Sequence, residues 1–233
     1  MSFWNRLFVG KSKSTSVIQA GSQPISTIIT TPKPPTSPTA QSLELPHEFD
    51  GSMSYREMFQ KLPPERLRAI CRALPVEQLD LNRPGRPPLA REMGKAISQI
   101  FGISIYMATK EVPSEYGDLV FPRLVAQIVK FKGSDLHLEL CDLVRDFAIY
   151  LSSAGRNRDA VRVLYVLKDS LFWHMFPQGQ ICLFTNLHNI AIDSNERADF
   201  VAALAAAKKI PASQLDPMME QAIASLQKKI DAL

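Results

Sequence analysis

Apolar residues recur at helical spacing along most of this chain, from about Phe49 to the C-terminus. Two such stripes comprise Leu67, Ile70, Cys71 and Leu74 near the start of the region and Met219, Ile223, Leu226 and Ile230 near its end. Intervals of three and four residues place side chains on one face of a helix, and no segment here shows the alternation of a half-buried strand. The spacing predicts an all-α domain over residues 49–233, a multi-helix and partly solenoid-like fold of about seven to nine helices.

The region before this domain has a different composition. Eighteen of the thirty-two residues from 11 to 42 are Ser, Thr or Pro, and none is acidic or aromatic. Such a stretch cannot bury enough apolar surface to offset the conformational entropy that it would lose on folding. The composition therefore predicts a disordered linker over residues 11–48, which joins the helical domain to a short N-terminal peptide of residues 1–10.

The N-terminal peptide, MSFWNRLFVG, is predicted to be an amphipathic docking segment. Its large apolar residues, Phe3, Trp4, Leu7 and Phe8, fall on one face of a helix. Arg6, Lys11 and Lys13 add positive charge, which favours a peripheral membrane contact through residues 1–13. The apolar face also suits a groove on another protein or on the chain's own domain, so these three destinations stay open.

Two of the later helix starts carry capping signals. Asp193 and Glu196 resemble a capping box ahead of a helix over residues 194–209. Asp216-Pro217 combines a capping side chain with a proline suited to the first helical turn, so it predicts the start of the last helix.

Residues 143–171, LVRDFAIYLSSAGRNRDAVRVLYVLKDSL, resemble one helix–turn–helix unit of the tetratricopeptide repeats, within predicted helices over 135–154 and 157–175. The matching residues are Ala148, Leu151, Gly155, Ala160 and Leu164. Small residues let two helices approach closely, and glycine permits a left-handed turn. The pattern departs at Asn157, where the family has an aromatic residue, and no copy lies about 34 residues away. The resemblance implies a surface that binds peptides or proteins and implies no catalytic residues; a generic helical hairpin shares these features.

Aromatic residues and methionine cluster directly after this unit, in LFWHMF at residues 171–176. Such a cluster either belongs to the core or lines a groove for a partner helix or peptide, because aromatic residues and Met are favoured at binding surfaces. On the second interpretation, we predict Phe172, Trp173 and Phe176 as partner-contacting residues.

A proline- and arginine-rich loop at residues 82–88, NRPGRPP, precedes a long predicted helix. Arg83, Arg86 and Arg91 surround the start of that helix, where free amides and the helix dipole favour anions. These arginines are the candidate anion-binding residues of an alternative function, a regulatory phosphate- or nucleic-acid-binding protein. Charge argues against nucleic acid, because residues 49–233 hold 23 basic and 21 acidic residues.

Motifs of catalysis or metal binding are missing from the sequence. The four histidines lack metal-ligand spacing such as HExxH, and there is no Walker loop or GxSxG motif. Cys71, Cys141 and Cys182 are widely spaced, which predicts buried free thiols in a reducing, cytoplasmic setting. We therefore expect no metal, no cofactor and no small-molecule substrate. The expected function is that of a non-enzymatic interaction or adaptor protein, which binds a protein partner through its helical domain and carries a tethered docking peptide.

Overall fold

A computed structural model describes residues 45–49, 52–81, 89–109, 111–131, 133 and 136–233, with the backbone alone for residues 89–92. The described residues form nine α-helices and no strand, which confirms the predicted all-α class. The helices are α1 (Tyr55–Lys61), α2 (Pro64–Ala73), α3 (Leu89–Met107), α4 (Ser114–Ile128), α5 (Leu138–Ser153), α6 (Asn157–Lys168), α7 (Pro177–Ser194), α8 (Arg197–Ala207) and α9 (Pro217–Ala232). The predicted N-terminal peptide and most of the predicted linker, residues 1–44, lie outside the described residues. Within the described part of the chain, no helix has the length and apolar character needed to cross a bilayer.

The first two helices begin where capping chemistry places them. Ser54 caps α1 and forms a capping box with Glu57, whose carboxylate accepts a hydrogen bond from the Ser54 amide. Pro64 stands in the first turn of α2, where a missing amide hydrogen breaks no helical bond. The predicted apolar stripe of α2 is confirmed, because all four of its residues, Leu67, Ile70, Cys71 and Leu74, are buried.

Helix α4 supplies polar side chains that hold the end of α2 and the turn that follows it. The Arg123 guanidinium donates to the carbonyl oxygens of Cys71 at 3.1 Å and Leu74 at 2.7 Å, and it pairs with Glu77 at 2.5 Å. Gln127, one turn further along α4, donates to the Leu79 carbonyl at 2.7 Å. These carbonyl groups lie at a helix end and in an irregular segment, where they have no helical partners.

Three phenylalanine rings join α3, α4 and α5 in the centre of the domain. The Phe147 ring lies 5.9 Å from Phe101 and 5.8 Å from Phe121, measured between centroids, and both pairs meet edge to face. Phe147 and Phe101 are fully buried. Edge-to-face contacts add to the stabilisation that comes from burying the rings.

The turn between α5 and α6 has the left-handed glycine that the sequence predicts. Gly155 adopts φ +76°. Its amide donates to the Ser152 carbonyl, and the Arg156 amide donates to the Leu151 carbonyl, each at 2.9 Å. This pair of bonds is the Schellman pattern, which closes a helix end with its own backbone. Two small residues, Ala148 and Ala160, are fully buried in this helix pair.

Each helix from α5 to α9 packs against the next helix along the chain. Asp216 caps α9 as predicted, because its carboxylate accepts a hydrogen bond from the Met219 amide at 2.7 Å. The predicted capping box at Asp193 and Glu196 is wrong. Helix α7 continues through Asp193 to Ser194, and the left-handed residue that follows, Asn195, ends it. Glu196 precedes α8 without a side-chain capping bond.

Helix α6 ends at Lys168, so the prediction of one helix to residue 175 is wrong. Gly133 lies against the backbone here, and a Cβ at that position would stand 2.6 Å from the Ser170 nitrogen. Such a contact with a distant segment cannot be inferred from helical periodicity. The chain then forms a separate 3-10 turn, Trp173–Met175, before α7 begins. This turn sets the position of the candidate site.

Candidate partner-binding groove

An apolar groove lies where α6, α7 and α8 meet the 3-10 turn. It encloses about 160 Å³. Its apolar lining is formed by Trp173, Leu183, Leu187, Ala202, Ala205 and Ala206. The three alanines follow the i, i+3, i+4 spacing of one helix face, so α8 presents only methyl groups to the groove. We call this feature the Trp173 groove.

The 3-10 turn and the start of α7 hold Trp173 at the rim of the groove. The Trp173 amide donates to the Ser170 carbonyl at 3.2 Å, and the Trp173 carbonyl accepts from the Phe176 amide at 3.1 Å. The indole lies over Gly179, where an added Cβ would stand 3.2 Å from the ring. Trp173 is half-buried in this position.

Two exposed apolar side chains flank Trp173 in the sequence. Leu171 has an exposed fraction of 73% and Met175 one of 53%. A broader and shallower depression of about 580 Å³ lies beside the groove, and Tyr165 lines both features. Exposed apolar residues that form a contiguous patch are a common mark of an interaction surface, whereas single ones are not.

Two lysines supply the charge of the groove. Lys168 is at the end of α6, with its ammonium nitrogen 4.7 Å from the centroid of the Tyr165 ring. Lys209 lies just beyond the end of α8. No acidic residue lines the groove, and among the described residues neither lysine has an ion-pair partner.

Gln180, in the first turn of α7, contributes a polar group to the groove wall. Its amide nitrogen lies 3.5 Å from the Trp173 carbonyl oxygen, which is a long hydrogen bond. Its amide oxygen is buried and has no hydrogen-bond partner among the described residues. An unpaired buried acceptor is unfavourable for the fold, because the oxygen has lost its bonds to water.

The three aromatic residues that the sequence predicts as partner contacts have different environments in the structure. Trp173 lines the groove and Phe172 is half-buried beside it in the chain. Phe176 has an exposed fraction of only 3%, and the Arg145 guanidinium lies 5.3 Å from its ring centroid. Phe176 therefore packs inside the domain and supports the turn, while Trp173 remains available for contact.

The other predicted binding residues have side chains that lie outside the part of the chain that the structure describes. Residues Phe3, Trp4, Leu7 and Phe8 belong to the undescribed N-terminal segment. Arg83 and Arg86 are also undescribed, and Arg91 lies in α3 with its side chain outside the description. Both the docking peptide and the anion-binding loop stay predictions from the sequence.

Several groove residues were missed by sequence reasoning. Tyr165 and Lys168 were assigned only to a helix, and the alanines of α8 and Lys209 were assigned no role. The run VAALAAAKK contains a signal, since small residues beside lysines are unusual for a helix that buries one apolar face. The sequence alone does not show that these alanines line a groove, because that depends on the packing of α8 beside α7 and Trp173.

The nucleophilic and metal-ligating side chains do not assemble into a second site among the described residues. Burial raises the pKa of the Cys182 thiol to about 12 and that of the Cys71 thiol to about 11, so very little thiolate forms at neutral pH. His188 packs beside the Phe184 ring and burial lowers its pKa, while His174 is exposed. No group of three or more His, Cys, Asp or Glu in the described ranges is arranged to hold a metal ion.

Comparison with known proteins identifies no match for this chain. No protein-family model, no curated protein and no solved structure matches it. The groove is therefore interpreted from its own features. These are an apolar lining, a half-buried indole and two lysines that have no carboxylate partner in the part of the chain that the structure describes.

Proposed function

We propose that this chain is a non-enzymatic interaction protein whose helices α5–α9 bind a peptide segment of another protein in the Trp173 groove. The observation that carries the proposal is a half-buried indole that lines an open apolar groove. Tryptophan is enriched among the residues that dominate binding energy at protein interfaces. Leu171 and Met175, which flank Trp173 in the sequence, are exposed apolar side chains that a partner can also contact.

The size of the groove supports a protein ligand over a small-molecule substrate. Pockets for drug-sized ligands usually measure about 300–1,000 Å³. The Trp173 groove encloses about 160 Å³, which is well below that range. An apolar cavity of about 150 Å³ is large enough for benzene, so the groove has room for one large apolar side chain.

The helical arrangement supports the same function. Successive helices pack against one another from α5 to α9, and the α5–α6 turn has the glycine geometry seen in helical repeats. The proposal therefore includes a resemblance of this region to tetratricopeptide-like repeats, which bind peptides on extended surfaces. The free, buried thiols of Cys71, Cys141 and Cys182 support a reducing, cytoplasmic setting.

Peptide selection on a groove-filled variant tests the proposal. The full chain would select binders from a displayed random-peptide library, alongside Ala205→Phe, which fills the groove from an exposed helical position. The matched control is Ala224→Phe, at an exposed position on α9 away from the groove. We expect Ala205→Phe to weaken the selected peptides more than about tenfold and Ala224→Phe to leave them unchanged. Equal binding by both variants, or no enrichment by the wild-type chain, would contradict the proposal.

A further inference from the structure

The charged residues that line the Trp173 groove are both lysines. Lys168 and Lys209 come from different helical segments, α6 and the end of α8, and both line the groove. Neither has a carboxylate partner within the described residues, and no lining residue is acidic. Complementary charge across an interface increases the association rate and excludes partners of the wrong sign.

Lys168 is held at the groove before any ligand arrives. Its ammonium lies over the Tyr165 ring at 4.7 Å, within the range of a cation–π contact. Such a contact restricts a long side chain that would otherwise lose rotamer entropy on pairing with a carboxylate. A carboxylate that reaches this position therefore meets a partly ordered cation.

The apolar volume of the groove limits the size of the side chain that an acidic ligand can place in it. About 160 Å³ beside Trp173 holds one large side chain, such as phenylalanine or leucine, and not a whole helix. Together with the two lysines, this volume describes a short segment with one apolar anchor.

We propose that the partner of the Trp173 groove is an acidic peptide segment, in which one aromatic residue or leucine enters the groove and flanking carboxylates pair with Lys168 and Lys209. This inference rests on the proposed function and specifies its ligand. The chain's own first thirteen residues carry Arg6, Lys11 and Lys13 and no acid, so their charge has the same sign as the groove. A phosphate-bearing polymer matches the lysines and provides no apolar side chain for this volume. An anionic lipid has an acyl chain that fits an apolar volume, so the test below includes vesicles.

Three pools of short fluorescein-labelled peptides test the inference on the full chain. Every peptide has one central phenylalanine, and the flanking positions mix alanine and serine with glutamate in the first pool, glutamine in the second and lysine in the third. Fluorescence anisotropy would measure binding at low and at high ionic strength. We expect the glutamate pool to bind most tightly and to weaken as salt screens its charges.

Lysine variants test whether the preference for acidic peptides comes from the two lysines of the groove. Lys168→Gln and Lys209→Gln should each weaken the glutamate pool by about two- to fivefold and leave the glutamine pool unchanged. Lys228→Gln, at an exposed position on α9, is the matched control and should change neither. Equal effects of all three variants would contradict the proposed pairing, because they would indicate attraction by net charge alone.

The remaining outcomes separate the two proposals. If the glutamine or lysine pool binds as tightly as the glutamate pool and Ala205→Phe abolishes that binding, the acidic ligand is wrong and the peptide-binding function stands. If no pool binds, the acidic ligand is also wrong, and the library selection then decides the function. A third outcome is that no pool binds but phosphatidylserine-containing vesicles do, and that Lys168→Gln and Lys209→Gln weaken the vesicle binding. The groove is then a lipid contact, and both proposals are wrong.

Discussion

The two parts of the helical domain achieve their stability in different ways. In the N-terminal part, which comprises α1–α4, long polar side chains reach the backbone of distant segments. Arg123 binds the carbonyls at the end of α2, Gln127 binds Leu79, and Gln99 binds the Phe49 carbonyl at 2.6 Å. In the C-terminal stack, which comprises α5–α9, the helix ends are closed locally, as at Gly155 and Asp216. Among the described residues, bonds from a side chain to a backbone more than 40 residues away occur only in the N-terminal part.

This difference is informative about where a binding surface can arise. The irregular segments of the N-terminal part have carbonyl groups that need donors, so its long side chains are committed to structure. The helix ends of the C-terminal stack form their backbone hydrogen bonds locally. Side chains such as Trp173, Lys168 and Lys209 are therefore not needed for that purpose and can contact a partner. Binding groups are often carried in this way on elements that a rigid scaffold positions.

Removing the ring that joins the two parts should have the largest effect. Phe147 touches Phe101 of α3 and Phe121 of α4, so Phe147→Ala opens a cavity at their junction. We expect the free energy of unfolding to fall by about 3–5 kcal/mol in urea denaturation. Phe147→Leu, the milder control, keeps most of the volume and should cost less. A loss below about 1 kcal/mol for Phe147→Ala would show that the two parts do not depend on this junction.

Arg123→Ala tests the polar cross-links of the N-terminal part. The change removes the donors to Cys71 and Leu74 and the partner of Glu77, so we expect a loss of about 2–3 kcal/mol in the free energy of unfolding. Arg158→Ala, at an exposed position on α6, is the control and should change stability by less than about 0.5 kcal/mol. Equal losses in the two variants would remove the distinction drawn here between the two parts.

Gly155→Ala tests the local closure of the C-terminal stack. A Cβ at this position meets no atom within 4 Å, so the expected cost comes from the left-handed backbone alone. We expect a loss of about 1–2 kcal/mol for Gly155→Ala in thermal or urea unfolding and a smaller loss for Gly155→Asn. Equal stability of the alanine variant and the wild type would mean that the turn does not need this conformation.

Deletion of residues 1–10 should have the smallest effect on stability. The sequence predicts that this peptide is a separate docking segment, so the melting temperature of the remaining chain should stay unchanged while one association is lost. Differential scanning calorimetry with a pull-down measures both properties. A decrease of several degrees in melting temperature would show instead that the peptide belongs to the fold.

The helices were predictable where local chemistry decides them, and the groove was not. The stripes of α2 and α9, the turn at Gly155 and the cap at Asp216 follow from spacing and from single residues. The end of α6 packs against the distant Gly133, a contact that periodicity does not reveal. The Trp173 groove combines residues of three helices and a turn, and only their packing brings Lys168 and Lys209 to the same cavity.

The fluorescence of Trp173 during peptide binding tests the central claim most directly. The chain has two tryptophans, so Trp4→Phe leaves Trp173 as the single indole reporter. Titration with unlabelled peptides of the glutamate pool should shift the Trp173 emission to shorter wavelength, because a bound segment removes water from the exposed part of the indole. The shift should disappear in Ala205→Phe. Binding detected by anisotropy while the Trp173 emission stays constant would contradict the account, because the peptide would then lie elsewhere on the protein.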